Sequence, residues 1–589
     1  MADTGSGHAP APAAGSEAWS SNNKQLAVNR EKTLMMGGIC RPPPKTGSRP
    51  FARRTTVAAG LTLAGVLACA LGLLAPTAAR ATTATLSPHE TLRAPSGVKT
   101  DSTADHTAFE ELEGPFADGP SVTAACLHCH TNAAKQLHQT THWTWHYDNT
   151  RTGQMGLGKR NVVNNFCISV QSNWPRCTSC HIGYGWEDAS FDHTSETAVD
   201  CLVCHDTTGT YTKPATTAGH PDPSVNLAEV ARNVGPTSRA NCGACHFNGG
   251  GEDGVKHGDL DTSLIDPDFA LDVHMDADGL NFQCATCHTT GGHEVTGSRY
   301  APTAVDRLGI DIPGQTDGTR ATCESCHGLT PHEGNSKLND HTDRVACQTC
   351  HIPAFARGER MTKVRWDWST AGRMNGDGKP YHEDDIHGYT TYTSKKGDFV
   401  WGANVTPTYH WFNGVVRYTK PGDTIDPTDV VVINAVEGSA DDPESRIWPF
   451  KVMHSRQPYD AGQSVLALPH VFGEDDSAFW TNFDWPKALQ AGMAAQDMPF
   501  SGAYDFVETE TYWPLAHMVA PKDEALSCNE CHTKHGRLAD LTGFYMPGRD
   551  TFPWLTMAGW GLAGLTLLGT ILHGLIRIAA TARARVRRG

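Results

Sequence analysis

Cys126-Leu127-His128-Cys129-His130 is the first of eight copies of one five-residue pattern, Cys-x-x-Cys-His, and that pattern decides the fold. The others are Cys177-x-x-Cys180-His181, Cys201-x-x-Cys204-His205, Cys242-x-x-Cys245-His246, Cys284-x-x-Cys287-His288, Cys323-x-x-Cys326-His327, Cys347-x-x-Cys350-His351 and Cys528-x-x-Cys531-His532. Two thiols at this spacing can add to the two vinyl groups of one haem, and the adjacent histidine then lies beneath the iron as an axial ligand. With 19 Cys and 30 His scattered at random over 589 residues, roughly 0.03 such motifs would be expected. Structural zinc needs four ligands, and lone Cys-x-x-Cys pairs each trailed by His do not assemble them at the usual spacings. The sequence therefore reads as a multihaem cytochrome c carrying eight covalently bound haems c, with short helices and loops packed around the macrocycles.

Composition agrees with that class. Hydrophobic residues make up 39% of the chain and aromatics 8%, modest for a conventional core of this length, and eight porphyrins supply the missing apolar interior. The formal charge of −16 argues against nucleic acid as a partner. Sixteen of the 19 cysteines are used by the motifs, leaving Cys40, Cys69 and Cys167, so a disulfide framework is excluded for the mature monomer.

Residues 1–81 read as a polar leader followed by a signal peptide. Arg53 and Arg54 precede an apolar run from Val57 to Leu74, Ala79-Arg80-Ala81 offers a cleavage site, and Met35 or Met36 would give a normal signal length. Residues 82–120 form a Thr/Ser/Asp/Pro-rich extension, and 121–351 a heptahaem region with one motif per roughly 32 residues. Residues 352–527 carry no motif. Gly397–Trp401, Thr408–Tyr418 and Val430–Val436 run in β-branched and aromatic residues and predict a small β-containing insertion. Pro486–Gln496 and Asp505–Ala520 read as helices, the second carrying His517 towards the last haem. After the eighth haem segment, 528–552, the apolar run Trp554–Ile576 is long enough to cross a bilayer, giving a transmembrane helix over 553–577. The basic tail, 578–589, with Arg577, Arg583, Arg585, Arg587 and Arg588 at or beyond the end of the run, marks the cytoplasmic side. The haems then sit on the periplasmic side, as the signal peptide independently requires.

Each low-spin haem needs a second axial ligand. The histidines in His-rich loops near the motifs are the candidates: His142, His193, His257, His274, His293, His332, His341, His454 and His517, with His138, His146 and His535 in reserve. Catalysis at a haem needs one iron with an exchangeable position. Gly158-Lys159-Arg160-Asn161-Val162-Val163-Asn164-Asn165-Phe166-Cys167, just before the second motif, holds a lysine and the one mature cysteine outside the motifs. A buried, metal-adjacent lysine can lose its proton and coordinate iron. Cys167 is either a thiol that meets a sulfur substrate or an inert buried one. Arg160, Asn164, Asn165 and Lys451 are candidates for steering an anion to the iron, with structural roles as the alternative.

These stretches, together with Thr141-His142-Trp143-Thr144-Trp145, Trp448-Pro449-Phe450-Lys451-Val452 and Tyr512-Trp513-Pro514-Leu515-Ala516-His517-Met518-Val519-Ala520-Pro521, resemble the octahaem tetrathionate reductase family over roughly residues 120–540. The resemblance implies seven bis-histidine haems and one, on the second motif, whose axial ligand is a lysine outside the motif, at the position of Lys159. It also implies reduction of tetrathionate, nitrite or hydroxylamine. Whether His181 and Lys159 both bind that iron, or one alone, is left open by the sequence. The C-terminal span departs from soluble members and points to membrane quinol or a cytochrome b-type subunit as donor. The alternatives are a carrier passing quinol electrons to a separate reductase, and a hydroxylamine or thiosulfate oxidase.

Overall fold

The computed structural model describes residues 104–164, 169–312 and 320–589. The expected leader and signal peptide, and the candidates Asn165 and Cys167, lie outside the described residues.

From residue 104 to His351 the chain is a succession of short helical turns and loops, as the motif density predicts. The longer helices are α1, Gly119–Leu127, and α2, Arg239–His246. Both are closed at the N-terminus by capping boxes, Asp118 with Ser121 and Ser238 with Asn241, which satisfy backbone N–H groups that a two-turn helix otherwise leaves bare. Small aliphatic clusters pin these turns, such as Leu112, Val122, Leu202 and Val230.

The motif-free segment is larger and more β-rich than the sequence predicts. It builds a nine-stranded sheet from β1 (Thr362–Asp367), β2 (His382–Asp384), β3 (Thr390–Thr393), β4 (Gly397–Gly402), β5 (Thr408–Phe412), β6 (Val431–Val432), β7 (Arg446–Asp460), β8 (Val465–Leu466) and β9 (Tyr504–Pro514). The order is β6-β9-β7-β1-β4-β3-β2, with β5 and β8 also paired to β7. The central strand β7 runs antiparallel to β9 from Phe450 opposite Pro514 to Asp460 opposite Tyr504, and parallel to β1. One face buries Trp366, Trp368, Met453, Leu468, Phe479, Leu489, Met493 and Val507, so this part of the molecule has an apolar core of its own and needs no macrocycle to fill it.

The helix expected over Asp505–Ala520 is the strand β9. Val507, Thr509, Thr511 and Trp513 are buried while Phe506, Glu508, Glu510 and Tyr512 are half-buried, a period of two. Thr, Val, Tyr and Trp also favour the pleated surface over a helix. The helix α3, Trp485–Ala494, forms where expected, with Asp484 accepting from Lys487 N and Pro486 in the first turn. The chain ends in α4, Pro553–Val586, a 34-residue helix with no buried residue, long and apolar enough to cross a membrane.

Candidate functional site

Five motifs lie on or against a single helical turn of their own: Leu202–His205, Cys284–Cys287, Cys323–His327, Cys347–His351 and Cys528–Cys531. Two others sit at the C-terminal ends of α1 and α2. An i, i+3 spacing on a helix puts both thiols on one face, which is the placement two thioether bonds to one macrocycle need.

The placement of the imidazoles shows which histidines could hold each iron. Six motif histidines face a second histidine with ring centres 6.0–6.3 Å apart: His130 with His106, His246 with His142, His288 with His517, His327 with His274, His351 with His332, and His532 with His341. Two imidazoles sharing one metal at roughly 2 Å from each nitrogen have ring centres roughly 6 Å apart. The donor set therefore fits a six-coordinate iron at each pair. Several rings are aimed by their other nitrogen: Nδ1 of His205, His288 and His532 donates to the carbonyls of Gly235, Thr296 and Pro547 at 2.8–2.9 Å, leaving Nε2 for the metal. His517 is aimed by the Asp259 carboxylate at 3.2 Å, which also accepts from the backbone N–H groups of Ala516 and His517.

Five of the nine expected distal histidines thus meet a motif histidine. His293 donates from Nδ1 to Gln136 Oε1 at 2.8 Å and lies within electrostatic reach of His205. His193 and His257 lie within electrostatic reach of His181 and His246 without facing them in the paired geometry, and His454 is not brought to a motif histidine. His193 packs on Trp186 and Phe191, His257 packs edge-on to Trp513, and His454 is half-exposed on β7 beside Glu510. A strand side chain pointing to solvent cannot reach a haem in the loops. His106, absent from the sequence-based candidates, is the partner of His130. It sits on a single 3-10 turn whose cap, Asp105, accepts from Thr107 N.

The second motif differs from the rest. His181 Nε2, the atom that elsewhere is free for the iron, donates to the Trp143 carbonyl at 2.7 Å, while its buried Nδ1 has no partner. The ring is boxed by Trp143, Trp145, Trp186 and Phe191, and burial lowers its pKa to about 3, so it is a neutral imidazole. Among the described residues no other histidine faces it in the paired geometry. Lys159 does approach: its Nζ lies 3.5 Å from the Cys177 carbonyl and 4.0 Å from the centre of the Trp145 ring, and its charge acts on Cys180. The arrangement disagrees with the expectation that His181 serves as a ligand through Nε2, because a nitrogen donating its proton to a carbonyl has no lone pair for a metal.

Residues 363–535 match the family described as bacterial cytochrome c. An alignment 242 positions long, covering 32% of this chain and 80% of the other, shows 24% identity to an uncharacterized protein of Archaeoglobus fulgidus. The crystal structure of octahaem cytochrome c from Shewanella oneidensis is similar over 75% of this chain and 97% of that one, with 43% identity and a TM-score of 0.68. The chain belongs to the octahaem cytochromes c. Its eight haems are covalently bound haem c, on the eight motifs.

In this octahaem cytochrome the motifs are chained together. Cys126 neighbours Cys201, Cys180 neighbours Cys245, Cys242 neighbours Cys284 and Cys323 neighbours Cys347. Cys204 lies near Cys242, Cys287 near Cys326 and Cys350 near Cys531. Taken in space, the motifs run first, third, fourth, fifth, sixth, seventh, eighth, and the second branches from the fourth.

Of the residues expected to steer an anion, Arg160 lies closest to the second motif's aromatic box. Its buried Nε has no partner, and its charge acts on His193. Asn164, four residues further along the chain, is half-buried. Lys451 does not fit that role. It is fully buried on β7, and its Nζ donates to the carbonyls of Val255 at 2.8 Å and Lys256 at 3.1 Å and to Thr362 Oγ1. Two of these bonds tie β7 to the loop before His257 and the third ties it to β1, so no amine proton is left for a substrate.

Proposed function

We propose that this octahaem cytochrome is a membrane-anchored, periplasmic reductase of small sulfur or nitrogen compounds such as tetrathionate, nitrite and hydroxylamine, acting at a second haem whose axial ligand is Lys159. The observation that carries this reading is the contrast between six paired imidazoles and His181, whose Nε2 is spent on the Trp143 carbonyl while a lysine stands beside the same motif. Bound haem c supplies one-electron storage along the chain of motifs and, at the second site, a metal with an exchangeable position.

The polypeptide supplies the rest. Lys159 would hold the iron of the second haem in place of His181, whose Nε2 is turned to the Trp143 carbonyl. Trp143, Trp145, Trp186 and Phe191 exclude water from the surroundings, which strengthens any charge interaction made there. Arg160 offers a buried cationic donor for an anionic substrate. The order in which the motifs neighbour one another supports electron delivery along their haems to the second through the fourth. The eighth motif is the nearest in sequence to α4, and α4 with its arginine-rich end supports anchoring in the membrane with the haems outside and quinol or a cytochrome b subunit as donor.

The test is steady-state turnover by the purified holoprotein with reduced viologen as donor and tetrathionate, nitrite and hydroxylamine offered in parallel, repeated for Lys159→Ala. At least one substrate is consumed by the natural protein, and the variant loses most of that rate while keeping eight haems. If none is consumed and no exogenous ligand binds any haem, the protein is a carrier for a separate reductase.

A further inference from the structure

The second motif still contains its histidine, so something must keep that imidazole from the iron it normally serves. His181 is held from three directions. On the ring side, Nε2 is bound to the Trp143 carbonyl. Beneath the ring, residue 183 is a glycine: a Cβ there would lie 2.9 Å from His181 Nδ1 and 2.9 Å from the Trp143 ring, so the turned-away position exists only because Gly183 has no side chain. On the backbone side, Lys213 Nζ donates to the His181 carbonyl at 2.7 Å and pairs with Asp200 Oδ2 at 2.9 Å.

The Asp200 anchor is itself fixed. Its carboxylate accepts from the hydroxyls of Tyr184 at 2.9 Å and Tyr211 at 3.0 Å and from Val203 N at 3.1 Å, and its own N–H donates to the Ile182 carbonyl at 2.9 Å. The carboxylate is fully buried and Lys213 nearly so, which makes the pair rigid. The local backbone follows: His181 is extended (φ −72°, ψ 147°) after a 3-10 turn. His205, His246, His327 and His351 by contrast lie inside helical turns.

We propose that the Lys213–Asp200 pair, Gly183 and the Trp143 carbonyl form a latch that holds His181 off its haem, and that this latch keeps one face of the second haem open. Lys213 and Gly183 are positioning residues: neither touches substrate. The inference rests on the reading of the second haem as the open one.

The experiment counts ligand-binding haems in the oxidised holoprotein by electron paramagnetic resonance and cyanide titration. It compares the natural protein, His181→Phe, the paired replacement Lys213→Met/Asp200→Asn, and that replacement combined with His181→Phe. The natural protein and His181→Phe each bind one cyanide per molecule. The paired replacement releases His181 to the iron and binds none, and adding His181→Phe restores one, which a merely misfolded variant would not do. Gly183→Ala, with and without His181→Phe, gives the same loss and recovery where the paired replacement fails to load eight haems. A paired replacement and a Gly183→Ala variant that both still bind one cyanide overturn the latch. A natural protein that binds none, or a His181→Phe variant that binds more than the natural protein, overturns instead the reading of the second haem.

Discussion

Replacing Lys451 by methionine separates a clamp from a catalyst. The side chain keeps its length and apolar stem, so packing on β7 is nearly preserved, but the carbonyls of Val255 and Lys256 lose their donor. Thr362 suffers less, since its hydroxyl already donates to the Gly254 carbonyl at 2.7 Å. A buried hydrogen bond from a charged donor contributes about 1.5–3 kcal/mol, and losing two of them costs about 3–6 kcal/mol. Part of this is offset because burial pushes the Lys451 amine well below its usual range, with Lys363 adding to that against an opposing pull from Asp259, and methionine carries no such desolvation cost. The net destabilisation is about 2–4 kcal/mol. For a sheet region of this size that is a fall in Tm of roughly 5–15 °C. Far-ultraviolet circular dichroism of the holoprotein reads the melting, and viologen-linked turnover at 25 °C reads function in the same preparation. The expected result is a lower Tm with turnover retained. An unchanged Tm with turnover lost and eight haems in place would show that Lys451 acts on substrate and that the clamp is wrong.

Further outcomes follow from other residues. Arg160→Leu removes the buried cation beside the aromatic box and raises KM for an anionic substrate by about tenfold or more, with kcat and Tm little changed, as steady-state kinetics will read; an unaltered KM would put Arg160 outside the binding site. His106→Ala deprives the first haem of its second imidazole, so the number of cyanide-binding haems rises from one to two. Asp460 gives a sign for acid stability. Burial raises its carboxyl, but bonds from the Ser501 hydroxyl and N–H, Gln463 and Gly462 more than offset this and hold its pKa below the ordinary value. A carboxylate depressed on folding contributes stability that is present above the unfolded pKa, about 4, and is lost as pH falls through the folded pKa. Melting curves taken down from pH 6 therefore drop less steeply below about pH 4 in Asp460→Asn than in the natural protein, and parallel curves would refute the assignment.

The haem attachment sites were legible because their signal is local: five residues carry both thiols and the imidazole, and no tertiary context is needed to recognise them. The distal ligands are different in kind. His517 reaches His288, and His106 reaches His130, through packing that brings together separate parts of the chain, and a histidine near a motif in sequence has no advantage. His454 shows the converse, since β7 turns it towards Glu510 and solvent. The strand β9 was misread although Val507, Thr509, Thr511 and Trp513 alternate, because polar Thr and Glu on both faces mask the period of two until burial reveals it. Lys451 looked like an anion site because a lysine in an apolar run seems to need a reason. The reason is three acceptors on neighbouring backbone and Thr362, which no spacing in sequence announces. The proximity of Lys159 to the second motif was readable, but the turn of His181 towards Trp143 depends on Gly183 and on Lys213, which is remote in sequence.

The most direct measurement is a ligand census of the oxidised holoprotein by magnetic circular dichroism with electron paramagnetic resonance, made on the natural protein and on Lys159→Ala. The expectation is seven haems with two imidazoles each and one without a second imidazole, whose spectrum alone changes when Lys159 is removed. Eight bis-imidazole haems, unaltered by that substitution, would contradict the account.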